Sequence, residues 1–195
     1  MPQVDCHLLT RSMTGPDNEC GDTGFVHCNA SSCFIALVDI LGHGAEAHEV
    51  ALLAHAYLAG HFADPLGELI LGLHDHLRGS RGGVASLCRL DIATGMLSFT
   101  GVGNITCRIF GADQQRLLAR DGIVGYMMKA PPEKTTRIYP GDVVMLSSDG
   151  VREHFDLHDH PGLLLGTARE IAQRVMASLA KADDDASCVV MRYLA

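Results

Sequence analysis

Ala36-Leu37-Val38-Asp39-Ile40-Leu41-Gly42-His43-Gly44 joins a short apolar run to a carboxylate and then to a turn flanked by glycines. The run Phe34 to Val38 has the character of a strand at a sheet centre, so Asp39 stands at a strand end. Beyond the turn, Ala47, Val50, Ala51, Ala54, Tyr57 and Leu58 recur at helical spacing from Ala45 to about Gly60. Glu46, His48, Glu49 and His55 lie off that stripe, which predicts an amphipathic helix with one buried face. The placement of Asp39 repeats elsewhere. Asp149 follows the apolar run ending Leu146-Ser147-Ser148, Asp22 follows Cys20-Gly21, and Asp184 sits within Asp183-Asp184-Asp185. Strand ends brought together in this way would form an oxygen-rich pocket suited to hard divalent cations.

The flanking elements are legible from the same signals. Strands are predicted at Val4 to Thr10 and Gly24 to Cys28, ahead of the central run. Asp64-Pro65 offers an N-cap and a first-turn proline to a second helix, with Leu66, Leu69, Ile70, Leu73 and Leu77 as its stripe and Gly79 as its end. The two helices are expected to pair as an antiparallel hairpin over one sheet. Short strands follow at Val84 to Asp91, Met96 to Thr100 and Ile105 to Phe110, then Thr135 to Tyr139 and Val143 to Ser148 around the turn Pro140-Gly141-Asp142. Their short connections favour antiparallel pairing. Thr167-Ala168-Arg169-Glu170 is a capping box that opens a last helix, and Ser187 to Tyr193 is the terminal strand.

Composition excludes several functions. The chain has 195 residues, 47% of them hydrophobic, which suits one core, so residues 1–195 read as a single domain. A formal charge of -8 with only 15 Lys and Arg argues against nucleic acid, whose phosphates need a basic face. No stretch approaches the roughly eighteen consecutive apolar residues of a membrane span. Met1-Pro2-Gln3-Val4-Asp5 has no basic residue ahead of an apolar core and does not read as a secretory signal, so the expected location is cytoplasmic. Seven cysteines without a CxxC pair favour reduced, partly buried thiols over a disulfide framework or a zinc site.

Five motifs in order resemble the metal-dependent protein phosphatases of the SpoIIE type, in the PPM superfamily. They are Gly21-Asp22, Ala36 to Gly44, Gly101-Val102-Gly103-Asn104, Pro140 to Val151, and Asp184-Asp185-Ala186-Ser187-Cys188-Val189-Val190. Together they span most of residues 5 to 193, and the stand-alone RsbX-like members are the best match in length. The resemblance implies an α+β fold: a four-layer αββα sandwich of two antiparallel sheets flanked by helices. It also implies two Mn²⁺ or Mg²⁺ ions. Hard cations take carboxylate, carbonyl and water oxygens, and Mg²⁺ retains several waters, so few protein ligands suffice.

Carried over residue by residue, Asp39 resembles the carboxylate that bridges both ions, with the backbone carbonyl of Ile40 as a further ligand. Asp22 and Asp149 resemble additional ligands, and Asp184 the first acid of the terminal motif. Two ions about 3.5–4 Å apart would lower the pKa of a shared water and offset charge on the phosphoryl oxygens. The implied activity is a serine/threonine protein phosphatase. Its implied partner is a phosphorylated STAS-domain protein of a stressosome or partner-switching module, met by a monomer. The alternative is a weakly active module that binds a phosphorylated signalling partner. A hydrolase of small phosphoesters is a third reading.

Ile40 departs from the glycine that often follows this aspartate in the resembling proteins. Glycine is useful where φ is positive or another backbone comes close, and Ile suits neither. His43 has two readings: a catalytic group that orients a water or gives a proton to the leaving alkoxide, or a cap on the helix from Ala45. Arg152, and Asn104 in its glycine turn, are candidates for substrate contact. Arg81, Arg120 and Arg152 could each contact a substrate phosphate or a partner carboxylate, with a surface ion pair as the default for all three. His154, His158 and His160 read as a solvated loop rather than a zinc cluster, lacking a helix to align them or a cysteine at metal spacing. Asp183 and Asp185 read as solvated turn residues beside Asp184.

Overall fold

A computed structural model describes residues 3–13 and 19–194; Met1 and Pro2, part of the N-terminal reading above, lie outside them. Strands β1 (Gln3–Arg11), β2 (Asp22–Cys28) and β3 (Ser32–Ile40) lead into helices α1 (Ala45–His61) and α2 (Leu66–His76). Strands β4 (Gly83–Asp91), β5 (Met96–Val102), β6 (Thr106–Phe110), β7 (Gln115–Leu117), β8 (Gly122–Ile123), β9 (Met127–Met128), β10 (Lys134–Arg137) and β11 (Val143–Ser147) follow. Helix α3 (Ala168–Leu179) and strand β12 (Ala186–Leu194) complete the order.

The period of two along β3 sets the layers. Cys33, Ile35 and Leu37 face one apolar cluster, while Phe34, Ala36, Val38 and Ile40 face another. The first cluster lies between a sheet ordered β10-β5-β4-β3-β2 and a second ordered β1-β12-β11-β6-β7, the ladders being antiparallel. The second cluster joins β3 and β4 to Ala47, Ala54 and Leu58 of α1 and to Leu69, Ile70 and Leu73 of α2. A third joins Met145 and Val190 to Ile171, Val175 and Leu179 of α3. Helices therefore cover both outer faces, and the four layers αββα are those the motif resemblance implies. A strand buried on both faces has no polar alternation, which is why β3 reads as an unbroken apolar run.

Local signals mostly hold. Thr167 and Glu170 form the capping box in both directions. Asn29 closes the β2–β3 hairpin, its Oδ1 accepting from the backbone N–H of Ser31 and of Ser32, each at 2.9 Å. Two expectations fail. Asp64 does not cap α2: the cap residue is Pro65, with no side-chain hydrogen bond, because the fixed φ of proline sets the entry instead. Nor are all the cysteines reduced, since Cys28 and Cys33 are cross-strand neighbours joined by a disulfide. Odd cysteine number says nothing about register, and register placed these two side by side.

Strands β7, β8 and β9 have no counterpart in the sequence reading, being two or three residues long. No helix among the described residues is long and apolar enough to cross a membrane.

Candidate metal centre

The register of β2 on β3 sets Asp22 directly opposite Asp39, and the register of β3 on β4 sets Asp39 opposite Val84 and Ile40 opposite Gly83. Asp149 emerges just past the C-terminal end of β11 in the other sheet, and Asp184 lies in the turn before β12. Asp39, Asp149 and Asp184 line one cavity of about 460 Å³ together with Ile40, His43, Asn104 and Asp121. Asp22 is buried behind it, 5% exposed, and lines a neighbouring recess with Cys20 and His48.

Backbone demands explain the glycines here. A Cβ at Gly83 would stand 2.4 Å from the carbonyl oxygen of Asp39, and one at Gly150 would stand 1.8 Å from that of Asp185. Close approach therefore falls on the partner strand and on the residue after Asp149, not on position 40. Ile40 has no positive φ, and its side chain is buried in the α1/α2 cluster. The departure from glycine is thus absorbed by core packing.

Crowded carboxylates in low dielectric resist ionisation. Burial pushes Asp39 up to about 9, helped by the charges of Asp22, Asp149 and Asp184. Burial likewise lifts Asp22 to about 6, with the charge of Asp185 adding to it. Asp184 is raised as well, by burial and then by Asp149. Asp22 Oδ2 is buried and has no hydrogen-bond partner among the described residues. Orphaned carboxylate oxygen, mutual repulsion and an all-oxygen donor set fit hard divalent cations, which would supply the missing positive charge.

Residues 29–194 match the family model described as Stage II sporulation protein E (SpoIIE). The chain belongs to the SpoIIE family. Its fold is that of the PPM-type phosphatases. A solved structure described as "The bacterial stressosome: a modular system that has been adapted to control secondary messenger signaling" contains a chain 31% identical, with TM-score 0.88. That match covers 97% of this chain and all of the other. The PP2C phosphatase domain of SpoIIE from Bacillus subtilis superposes with TM-score 0.84 at 20% identity, over 99% of this chain and 64% of that one. RsbX in complex with magnesium gives 0.82 at 17%, over 98% and 95%. These last two are likenesses of fold. No curated protein matches significantly.

Within this SpoIIE-family site, Asn104 Nδ2 donates to Asp149 Oδ2 at 3.0 Å. His43 is exposed at the cavity wall and does not cap α1: the cap is Gly44, with no side-chain hydrogen bond. Arg152 is exposed and outside the cavity lining. Arg81 pairs with Glu46 and also donates to the carbonyl of Leu41 at 3.2 Å, while Arg120 donates to the carbonyl of Ala130. His154 and His158 are exposed, and the three loop histidines form no metal-spaced group among the described residues.

Asp185 is not the solvated turn residue expected, and Asp121, outside every motif, joins the cavity lining. Asp183 is exposed as expected, but Asp185 is 5% exposed and accepts two backbone bonds at 2.7 Å, from Met13 N–H at Oδ1 and from Gly21 N–H at Oδ2. It fastens the segment that carries Asp22. Adjacent aspartates look alike in sequence, whereas the turn that leads into β12 sends them to different environments. Asp121 reaches the cavity wall from the turn before β8, and its only signal was the Asp121-Gly122 pair.

Proposed function

We propose that this chain hydrolyses phosphoserine or phosphothreonine on a bacterial regulatory partner, a STAS-domain protein of a stressosome or an anti-sigma-factor antagonist. The observation that carries this reading is the gathering of Asp39, Asp149 and Asp184, from three separate segments, around one cavity, with Asp22 across the ladder from Asp39. Asp22, Asp39, Asp149, Asp184 and the carbonyl of Ile40 would hold two Mn²⁺ or Mg²⁺ ions. When bound, such ions supply a water of lowered pKa and charge to balance the phosphoryl oxygens. The solved RsbX in complex with magnesium supports this choice of metal.

The chain's own residues do the rest. Asn104 fixes the carboxylate of Asp149 by its 3.0 Å bond, so that the open oxygen keeps one direction. His43, exposed at the cavity wall, is free to pass a ring-nitrogen proton to the departing serine or threonine oxygen. Arg152, outside the cavity, is within the reach only of a substrate that extends beyond the phosphate, as a protein does. The reading takes residues 1–195 as one cytoplasmic, monomeric phosphatase domain.

Phosphate release from a phosphorylated STAS protein, measured with millimolar Mn²⁺ and repeated with Asp39→Ala, tests the proposal. Metal-dependent release that disappears in the variant is expected. Binding of the phosphoprotein without turnover would instead favour the alternative module, against which the full set of four acids stands.

A further inference from the structure

A second cluster of ligand atoms lies at the opposite end of the β2–β3 hairpin from Asp22 and Asp39. Cys28 and Cys33 are paired across the hairpin, and Cys6 reaches them from β1, the edge strand of the other sheet. Cys6 Sγ stands 3.3 Å from Cys33 Sγ, and all three sulfurs lie within 4.8 Å of one another. Cys33 is fully buried, Cys6 half-buried and Cys28 exposed. Cys33 belongs to the apolar cluster between the sheets, with Val4, Cys6, Leu8 and Val26 packed against it.

We propose that Cys6, Cys28 and Cys33, once the Cys28–Cys33 disulfide is reduced, bind one soft d10 cation of the Zn²⁺ type through three thiolates. Water takes the fourth position on the side where Cys28 is exposed. The disulfide is the metal-free, oxidised form of the same site. A dithiol reductant supplies two electrons and two protons, giving two thiols and an oxidised dithiol. The cation then releases one proton from each of three thiols.

Geometry and chemistry agree on the class of ion. A Zn–S bond of about 2.3 Å in a tetrahedral site sets sulfurs roughly 3.8 Å apart, within reach of the observed spacing by side-chain rotation. Thiolates select soft or borderline cations over Mg²⁺ and Mn²⁺, so this cluster and the carboxylate centre do not compete for metal. The ion would tie β1 of one sheet to the hairpin of the other.

The test uses the full chain, reduced and kept anaerobic, with excess Mg²⁺ to fill oxygen sites, titrated with Cd²⁺ as the spectroscopic probe. A thiolate-to-metal charge-transfer band that saturates at one Cd²⁺ per chain, and that a large excess of Zn²⁺ weakens while the excess Mg²⁺ does not, is expected. Cys33→Ser should abolish the band, and Cys6→Ser and Cys28→Ser should each weaken binding by tenfold or more. Cys188→Ala, whose thiol lies under α3, should leave it unchanged. Cys28 is exposed, so Cys28→Ser keeps the fold even if a buried replacement does not. No band in the reduced chain, a stoichiometry other than one, or a band undiminished in Cys6→Ser overturns the proposal. None of these readouts depends on phosphatase activity.

Discussion

Asp22 and Asp39 face each other across the β2–β3 ladder, two carboxylates on neighbouring strands where like charges oppose folding. The pair is a stability cost that a cation removes. In the metal-free chain the Asp39 carboxyl, raised from 3.8 to about 9, keeps its proton while the unfolded chain has lost it. Its contribution to stability is thus complete below about pH 4 and is lost as pH rises toward 9.

Asp39→Asn should therefore raise the melting temperature of the chelator-treated protein at pH 8. A gain on the order of 1 kcal/mol corresponds to about 2–4 °C for a chain of this size. The same variant should lose more than about 100-fold in turnover. In the native sequence, Mn²⁺ at a hundred times its Kd should add about 2.7 kcal/mol, with affinity rising with pH because binding displaces protons. Scanning calorimetry with and without chelator, from pH 5 to 9, checks both signs. A variant less stable than the parent without metal would contradict the electrostatic account.

Asp184 and Asp185 should separate cleanly. Asp185→Ala leaves the N–H groups of Met13 and Gly21 without their acceptor and should destabilise by roughly 1–3 kcal/mol, lowering activity by displacing Asp22. Asp184→Ala should leave stability level or improved, since it removes one like charge from Asp39, while weakening metal binding. Urea denaturation paired with metal titration distinguishes the two.

Ile40→Gly tests whether the residue beside Asp39 weakens the site. The Ile40 side chain fills the α1/α2 cluster and its backbone has no positive φ, so glycine should cost about 2–5 kcal/mol and bring no gain in kcat. A faster enzyme would mean that the local backbone is held in an unfavourable geometry.

Asn104→Ala should reduce metal affinity or kcat about tenfold or more through the loose Asp149 carboxylate, for any substrate. Arg152→Ala, outside the cavity, should raise KM for a phosphoprotein and leave an aryl phosphate untouched. Steady-state kinetics on both substrates reads the difference.

Much of the fold was legible because its signals are local. The unbroken apolar run before Asp39, the stripe on α1 and the capping box at Thr167 each report the faces an element buries. Strands β7 to β9 were not legible, because two or three residues hold no period. The cysteines misled because their number is a composition and their pairing is a register.

The sequence by itself determined the order of the motifs, the family, and which aspartates end apolar runs. Only the tertiary structure decided which of three adjacent aspartates faces the cavity and which fastens Gly21, that Asp22 stands opposite Asp39, and that Ile40 belongs to the core. The reason is physical. A strand end fixes where a carboxylate emerges, but its neighbours come from segments far along the chain, and their register follows from burying three cores at once.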